Sequence, residues 1–435
     1  MLAIAAVKDY EISHLDVSTA FLNGNLPECV YMEQPEAFED GTDDVLELHK
    51  SLYGLKQSPR EWYKELTHTM LELGFKKSDF DSSLFILEHL KGDFSVGVYV
   101  DDMVVLSKEK EWIDAFFAAI SQKYVMKNLG PITKILGIHV RRDRNQRKIW
   151  IDQEMFTKDI ISKYGFKANK QSIPALTSVK LVSDAPNDPA VEPGAPYREA
   201  VGSLLYLAQG TRPDIAFAVG VVSRFLANPR ISHWTAVNHI GEYLANTITN
   251  GIVYGGENDS LQLTGYSDAD WGDDPETRRS VSGYVFKLAG GAISWHSKRQ
   301  QLVAKSSTEA EYVAASEAAA EGVWIRGLLN ELECLQIGPT KILEDNAGAR
   351  YHAKNDCDHS RMKHLDIRHH FIRDRIDIGQ IELIECSTHN MAADMFTKAL
   401  GRNKFRTFCE MIGLYQQAEV LNSEGSKVLV QTNTQ

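Results

Sequence analysis

The chain has 435 residues, of which 43% are hydrophobic and 24% charged, a length and composition typical of about two to four globular domains. No run approaches the roughly 18 apolar residues needed to cross a bilayer, and the apolar start lacks the basic region of a signal peptide. A membrane-spanning or secreted protein is therefore excluded. The formal net charge of −12 is unusual for a nucleic-acid-binding protein, although metal-dependent polymerases and nucleases need clustered carboxylates. The five scattered cysteines form no C-x-x-C pair and predict reduced thiols.

Changes in composition divide the chain into segments. A proline-rich stretch at 183–196 predicts an extended linker, and a glycine-rich turn near Gly255 precedes a segment rich in strand-forming residues. Between these breaks, apolar residues at helical spacing predict three helices, at 197–208, 213–226 and 234–244. We therefore predict a first domain, a linker, a helical section, a last domain and a tail that is disordered towards its end, at 1–182, 183–196, 197–259, 260–400 and 401–435.

Three aspartates mark a first candidate metal site. Asp101 and Asp102 join two strand-like runs, 94–100 and 103–107, and Asp16 ends a short strand that leads into a turn of small residues. Unpaired carboxylates beside apolar surface are costly, and a divalent cation removes that cost. An Asp-rich β-turn without a function is the alternative interpretation of the pair. A strand-end acid beside a hairpin-tip pair favours two-metal phosphoryl transfer.

A loop and a helix lie between these aspartates. Ser58 and Glu61, with a proline after the serine, have the pattern of a capping box, and Gly74 predicts the end of the helix. Gly54 and Lys56 precede the helix and are placed to contact a nucleotide. A solvated loop explains Lys56 equally well.

A second group of acids follows the linker. The run 261–268 predicts a strand that ends at Asp268, a hairpin follows around Gly290, and an alanine-rich helix is predicted at 307–332. A short strand at 341–344 then leads to Asp345. Three strands, a helix and a further strand form the element order of a ribonuclease H fold.

Helix geometry distinguishes two glutamates in this segment. Ser306 and Glu309 have the pattern of a capping box, which explains Glu309 as a helix cap. Glu311 lies two residues further, about 200° around the helix, and is free to face the strands. Asp268, Glu311 and Asp345, with a later acid, can then surround two metal ions. Taken singly, any of these acids is more often a surface residue.

The ordered motifs resemble those of copia-type LTR retrotransposon Pol polyproteins over most of residues 1–400. Leu15-Asp-Val-Ser-Thr-Ala-Phe21, Ser51-Leu-Tyr-Gly-Leu-Lys-Gln-Ser-Pro59 and Tyr99-Val-Asp-Asp102 resemble motifs A, B and C of reverse transcriptase. Four later motifs are similar to those of a copia-type ribonuclease H domain: Tyr266-Ser-Asp-Ala-Asp-Trp271, Ser306-Ser-Thr-Glu-Ala-Glu-Tyr312, Glu344-Asp-Asn346 and His389-Asn-Met-Ala-Ala-Asp-Met-Phe-Thr-Lys398.

The resemblance implies an α/β (α+β) fold: an N-terminally truncated reverse transcriptase palm with thumb or connection helices, then a ribonuclease H-like mixed-sheet domain. The implied catalytic and metal-binding residues are Asp16, Asp101, Asp102, Asp268, Glu311, Asp345 and Asp394. The implied substrate-binding residues are Phe21, Gly54, Lys56, Gln57, Tyr99 and His364. Phe21 stands at the position of the steric gate that excludes a ribose 2′-hydroxyl; an ordinary core aromatic is the alternative. His364 lies in a basic segment expected to contact a substrate strand.

The resemblance also implies a primer-grip hairpin at Ile132–Val140. The basic run Arg141–Lys148 either follows a phosphate backbone or is an exposed turn. We expect two Mg²⁺ or Mn²⁺ ions in each active site. No zinc is expected, because the spacing in the histidine-rich stretch fits no standard finger. The zinc ligands considered are Cys357, His359, His364, Cys386 and His389.

The implied function is that of an RNA-directed DNA polymerase with ribonuclease H activity, acting by two-metal phosphoryl transfer at both sites. Its partners would be an RNA template, a DNA primer, dNTPs and an RNA–DNA hybrid, with upstream Pol or Gag segments or integrase from the same element. The chain opens fifteen residues before Asp16, so the family's basic fingers segment is missing and polymerisation is expected to be weak. Two alternatives are a truncated product that only cleaves RNA–DNA hybrids and a non-catalytic nucleic-acid-binding remnant. We expect an intracellular protein, cytoplasmic within a virus-like particle or nuclear.

Overall fold

The computed structural model describes residues 1–90, 92–256, 260–354 and 366–417, with the side chains of all of these except 366–369. The described chain divides into two compact units. Unit 1 comprises Met1, Lys8–Ile135 and Gly327–Leu335, and unit 2 comprises the rest. No helix in these ranges is both long enough and apolar enough to span a membrane.

The described chain contains both helices and strands, in runs of each type. The helices are α1 (Leu2–Lys8), α2 (Ser58–Glu72), α3 (Lys110–Ile120), α4 (Glu154–Tyr164), α5 (Tyr197–Gly210), α6 (Ala216–Val222), α7 (Ile231–Asn246), α8 (Ser307–Glu331), α9 (Ala347–Lys354), α10 (Asp366–Asp377) and α11 (Arg402–Met411). The strands are β1 (Glu11–Val17), β2 (Asn25–Met32), β3 (Leu46–Lys50), β4 (Phe75–Lys77), β5 (Leu84–Leu87), β6 (Phe94–Tyr99), β7 (Asp102–Ser107), β8 (Met126–Pro131), β9 (Lys134–Ile135), β10 (Ile138–Asp143), β11 (Lys148–Asp152), β12 (Asn250–Gly255), β13 (Thr264–Ala269), β14 (Val281–Leu288), β15 (Gly291–Arg299), β16 (Thr340–Glu344), β17 (Ile381–Glu385) and β18 (Leu414–Gln416). Short 3₁₀ helices lie at Ala20–Asn23, Glu88–Leu90, Pro213–Ile215, Ser223–Phe225 and Ala392–Phe396.

Unit 1 is built on an antiparallel sheet with the strand order β4-β5-β6-β7-β1-β8. Helices α2 and α3 contribute buried side chains to the same core as this sheet. In α2, Trp62, Leu66 and Met70 recur every four residues, which puts them on one buried face. The β2–β3 hairpin forms a separate two-stranded sheet.

The start of α2 differs from the predicted capping box. Ser58 is itself the first helical residue, and its buried hydroxyl donates to the carbonyl oxygen of Leu52 at 2.6 Å. The N–H of Glu61 bonds to the backbone oxygen of Gln57 instead. The predicted end of the helix is confirmed, because the left-handed Gly74 (φ 85°) follows the cap residue Leu73.

Unit 2 contains two sheets. In the first, the strands β18-β12-β11-β10 pair antiparallel in that order. In the second, β15, β14 and β13 form an antiparallel meander, and β13, β16 and β17 run parallel. The predicted order of a meander, the long helix α8 and a further strand is thus confirmed, and with it the α/β class.

The three helices predicted between 197 and 244 are α5, α6 and α7, which surround a buried ion pair. The Arg212 guanidinium donates to both carboxylate oxygens of Asp214, at 2.7 to 3.3 Å, and to the Thr247 carbonyl at 2.9 Å. The Tyr243 hydroxyl donates to Asp214 at 2.6 Å. Arg212 and Asp214 are almost fully buried, so each charge depends on the other.

The domain boundaries drawn from the sequence, at 182, 196, 259 and 400, stay predictions. The compact units divide near residue 135. Segment 183–196 holds Asp188, which bonds the backbone N–H and hydroxyl of Ser232 at the start of α7. The predicted tail from residue 401 contains α11 and β18, and β18 pairs with β12.

Removing the acid of the buried pair should destabilise unit 2. We expect Asp214→Ala to lower the free energy of unfolding by about 3 to 5 kcal/mol, because Arg212 is left charged and buried without its partner. Urea unfolding followed by circular dichroism measures this difference. Glu410→Gln, which breaks the exposed Arg406–Glu410 pair, is the control and should cost less than about 1 kcal/mol. An equally small loss for Asp214→Ala would show that the ion pair of Arg212 and Asp214 does not stabilise unit 2.

Candidate functional site

Three of the predicted acids meet at one edge of the mixed sheet in unit 2. Asp268 lies near the end of β13, and Asp345 directly follows β16. These strands are parallel neighbours with Tyr266 opposite Leu343, so their carboxyl ends lie side by side. One carboxylate oxygen each from Asp268, Glu311 and Asp345 lies within 4.8 Å of the others. Within the part of the chain that the structure describes, no other three acids, histidines or cysteines are grouped this closely.

Helix α8 brings Glu311 to this edge. The Ser306 hydroxyl accepts the N–H of Glu309 at 3.2 Å, and the Glu309 carboxylate accepts the N–H of Lys305 at 2.8 Å. The predicted cap by Ser306 is therefore confirmed, and the Glu309 carboxylate binds the backbone one residue before that cap. Glu311 is buried, and its carboxylate accepts the N–H of Ala269 at 2.7 Å, which fixes it beside the end of β13.

Asp394 lies in the 3₁₀ helix Ala392–Phe396 and is held by two lysines. The ammonium of Lys398 lies 2.6 Å from one of its oxygens, and Lys404 pairs with the other. Asp394 is not a member of the close group of three carboxylates. It connects to that group through Lys398, whose ammonium also lies 3.5 Å from Asp268, and the neighbouring Thr397 hydroxyl donates to Asp268.

The electrostatics of this centre oppose ionisation in the absence of a cation. Burial raises the pKa of Asp268 to about 6, with Lys398 opposing the shift and Asp394 adding to it. Burial also raises the pKa of Glu311 well above its usual value, and the charges of Glu344 and Asp268 raise it further. Burial alone would lower the pKa of Lys398, but Asp268 and Asp394 raise it above its usual value. A bound divalent cation would reverse these shifts in the acids.

Sequence reasoning missed a fourth acid at this edge, Glu344. It is fully buried, and one of its oxygens accepts the N–H of Asn346 at 3.1 Å. The sequence carries a signal for its burial, because Glu344 continues the buried alternation of Thr340 and Ile342 along β16. Lys398, Thr397 and Lys404 were also missed, since nothing in their spacing marks them as partners of these acids.

The first group of aspartates lies at one end of the sheet in unit 1. Asp16 in β1 stands directly opposite Asp102 in β7, and Asp101 lies in the tight turn between β6 and β7. The backbone oxygen of Asp101 accepts the N–H of Val17 at 2.9 Å. The predicted hairpin is thus confirmed, with Asp102 starting the second strand.

A histidine and a lysine accompany these aspartates. His14 Nε2 lies 2.6 Å from Asp102 Oδ1, and Lys127 Nζ lies 3.6 Å from Asp16 Oδ1. His14 precedes Asp16 by two residues in β1 and so shares its face of the sheet. Neither residue was singled out from the sequence, although the two-residue period could have identified His14.

Several predicted substrate residues lie in unit 1. The Phe21 ring packs against Tyr53, with ring centroids 4.6 Å apart. Tyr53 is 56% exposed and was not predicted as a site residue. Gly54, with φ at +100°, and Lys56 are exposed, and Gln57 is half-buried at the start of α2. Tyr99 is 60% exposed beside the aspartate turn.

The remaining residues predicted to bind a substrate or a metal lie in unit 2 or outside the described part of the chain. Arg141, from the basic run, pairs with Glu154 at 2.8 Å in unit 2. His364 and the zinc candidates Cys357 and His359 lie outside the described residues. Cys386 is buried and His389 exposed.

Comparison with known proteins gives consistent matches. The sequence model of a family described as "Reverse transcriptase (RNA-dependent DNA polymerase)" matches residues 1–177. The chain is 41% identical over 423 residues to the "Retrovirus-related Pol polyprotein from transposon TNT 1-94" of Nicotiana tabacum, covering 95% of this chain and 32% of that protein. It is 38% identical over 420 residues to the corresponding polyprotein from transposon RE2 of Arabidopsis thaliana, covering 95% and 28%. It is 33% identical over 314 residues to a transposon Ty5-1 protein of Saccharomyces cerevisiae, covering 71% of this chain and 100% of that protein. The chain thus spans about a third of the length of the two plant polyproteins.

The raised pKa of Glu311 predicts a pH-dependent loss of stability in metal-free protein. An acid whose pKa is higher in the folded state than in the unfolded state loses stability as the pH rises from its unfolded pKa through the folded value. Glu311→Gln removes this loss. With divalent cations chelated, we expect the variant to unfold at a higher temperature than the wild type at pH 7.5 and at a similar temperature at pH 4.

Differential scanning calorimetry at the two pH values makes this comparison. Glu309→Gln, the same change two residues earlier, is the control and should show no such pH-dependent gain, because glutamine can also cap a helix. If Glu311→Gln were no more stable than the wild type at pH 7.5, the charge of Glu311 would not destabilise the ion-free fold.

Proposed function

Because the chain belongs to the copia-type Pol polyproteins of retrotransposons, with the reverse transcriptase family represented by residues 1–177, we propose that it is an RNA-directed DNA polymerase that also cleaves the RNA strand of RNA–DNA hybrids. The family supports the polymerase activity. The observation that supports the nuclease is the buried group of carboxylates of Asp268, Glu311 and Asp345.

The residues at both sites fit divalent cations. Carboxylate oxygens are the ligands that Mg²⁺ and Mn²⁺ prefer, and in unit 2 a cation would also favour the ionised forms of Asp268 and Glu311, whose pKa values are raised. Asp268, Glu311 and Asp345, with Asp394, would hold two such ions in unit 2; Asp16, Asp101 and Asp102 would hold two in unit 1. When bound, the ions stabilise the charge that develops on the phosphate and make the attacking oxygen a better nucleophile.

In the nuclease reaction, a water oxygen forms a bond to the phosphorus of the RNA strand, and the bond from phosphorus to the ribose 3′-oxygen breaks. The protein's contribution is to hold the acids in place. Thr397 donates a hydrogen bond to Asp268, and the Ala269 N–H fixes Glu311. The hybrid would be held mainly through its phosphates and distinguished from DNA by its 2′-hydroxyls.

In the polymerase reaction, the primer 3′-oxygen forms a bond to the α-phosphorus of a dNTP, and pyrophosphate leaves. The turn that carries Asp101 is held on two sides. The Trp62 indole N–H donates to the carbonyl of Val100 at 2.7 Å, and the Val17 N–H bonds to Asp101. Val100 has a φ of 58°, an uncommon conformation for a β-branched residue, which these bonds hold in place.

Phe21 is proposed to exclude ribonucleotides. Its ring contacts the exposed Tyr53 and packs at the edge of the unit 1 core, five residues after Asp16. A bulky ring fixed at this point would clash with a ribose 2′-hydroxyl and leave a deoxyribose unaffected.

The substrates follow from these reactions: an RNA template, a DNA primer, dNTPs and an RNA–DNA hybrid. We propose that residues 1–182 act as the palm with the primer-grip region, 197–259 as the thumb or connection, and 260–400 as the ribonuclease H domain. Other parts of the same element's Pol or Gag products are candidate partners, and the proposed location is within the cell.

A second candidate function is cleavage of hybrids without polymerisation. It is favoured by the difference between the two sites, since Asp16 and Asp102 are partly exposed beside Lys127 and His14, whereas the acids in unit 2 form a close, mostly buried group.

Parallel assays on the purified chain with Mg²⁺ test both functions. One follows cleavage of the labelled RNA strand of an RNA–DNA hybrid, and the other follows extension of a DNA primer on an RNA template with dNTPs. We expect Asp268→Asn to slow cleavage by about 100-fold or more and to leave extension unchanged. We expect Asp101→Asn to slow extension by about 100-fold or more and to leave cleavage unchanged. Cleavage without any extension would establish the second candidate. Absence of both activities, with hybrid binding retained, would refute the proposal in favour of a non-catalytic binding protein.

The proposed role of Phe21 is tested by nucleotide choice. We expect Phe21→Ala to lower the preference for dNTPs over rNTPs by about 10-fold or more, because the clash with the 2′-hydroxyl is lost. Single-nucleotide extension with matched dNTP and rNTP gives this ratio. Phe38→Ala, at a phenylalanine that is 81% exposed, is the control. An unchanged ratio in a folded, active Phe21→Ala protein would assign Phe21 to the core alone.

A further inference from the structure

Glu344 is buried in a way that its own contacts do not explain. Its side chain is fully buried at the end of β16. Oε1 accepts the N–H of Asn346, but Oε2 has no hydrogen-bond partner among the described residues. A buried carboxylate oxygen without a partner costs several kcal/mol, so a ligand or a proton has to satisfy it.

The nearest arginine does not satisfy this carboxylate. Arg350 donates to the backbone oxygen of Glu344 at 2.6 Å, and its guanidinium lies 3.5 Å from the carboxylate of Glu385. Lys398 pairs with Asp394 and lies near Asp268. The charge of Arg350 opposes the rise in the pKa of Glu344, but neither Arg350 nor Lys398 gives Oε2 a hydrogen bond.

The Glu344 carboxylate lies beside the three grouped acids. It immediately precedes Asp345, and its charge is the largest influence after burial on the raised pKa of Glu311. Burial likewise raises the pKa of Glu344, with Asp268 and Asp345 adding to the shift. Glu344 is not a member of the 4.8 Å group itself.

We propose that Glu344 is a further carboxylate of the cation site, beyond the four that would hold the ions, acting through an ordered water between its free oxygen and the ion held by Asp268, Glu311 and Asp345. Mg²⁺ keeps several of its waters when it binds to proteins, and acceptors just outside the ligand shell tune its affinity. Glu344 is thus a positioning residue, and its additional negative charge favours binding of divalent cations. This inference rests on the cation site of the proposed function.

Calorimetric titration of the full chain with Mg²⁺ tests the inference. The titrations use an Asp102→Asn background, so that the site in unit 1 contributes little. We expect Glu344→Gln to weaken binding by about 10-fold or more, and Glu344→Asp, which restores the charge, to recover part of the loss. The control is Glu385→Gln, at the residue paired with Glu344 across β16 and β17, whose side chain is 82% exposed. It should bind Mg²⁺ like the background protein.

The outcomes separate this inference from the proposed function. Unchanged Mg²⁺ affinity in a folded Glu344→Gln protein would overturn it and leave Glu344 as a buried, protonated structural acid. Absence of Mg²⁺ binding in the background protein would overturn it as well. If Mg²⁺ binds, Glu344→Gln weakens binding, and the chain with intact Asp268 still cleaves no hybrid, the proposed nuclease fails while the role of Glu344 in cation binding stands.

Discussion

The confinement of several carboxylates at one buried edge of a sheet is the constraint on which the proposed nuclease site depends. Parallel pairing of β13 with β16 puts Asp268 beside Asp345, and the capped start of α8 adds Glu311. Burial, together with the neighbouring negative charges, raises the pKa of Asp268 and of Glu311. The fold tolerates them because packing and backbone hydrogen bonds hold their positions. These acids are stable in their ionised forms only when cations are bound. The arrangement therefore favours a metal-dependent reaction.

The aspartates of unit 1 also lie close to one another, but they are less buried than the acids of unit 2. Asp16 and Asp102 oppose each other across an antiparallel pair of strands, where the cross-strand distance is short. Lys127 lies close enough to offset the charge of Asp16, His14 contacts Asp102, and both acids retain contact with solvent. The ion-free form of this site is therefore less strained than that of unit 2. The geometry of the unit 2 site therefore favours a bound metal ion more strongly than the geometry of the unit 1 site does.

Local patterns in the sequence predicted much of this arrangement. The capping-box pattern was enough to distinguish Glu309 from Glu311, and two strand-like runs located the hairpin of Asp101 and Asp102. The pattern failed at Ser58, because a capping box depends on where the helix begins and a neighbouring carbonyl took the hydroxyl. Glu344, Lys398 and the pair of Arg212 with Asp214 were missed for a common reason. Their importance comes from burial and from partners that only tertiary structure defines.

Both proposals for unit 2 require its acids to form a cation site. Anomalous diffraction from crystals of the chain grown with Mn²⁺ tests this requirement most directly. We predict anomalous peaks coordinated by Asp268, Glu311 and Asp345, with Glu344 linked to one of them through a water. A fully occupied peak at the aspartates of unit 1, with none at these three carboxylates at saturating Mn²⁺, would contradict this prediction. The buried acids would then be a structural cluster held by protons and by Lys398.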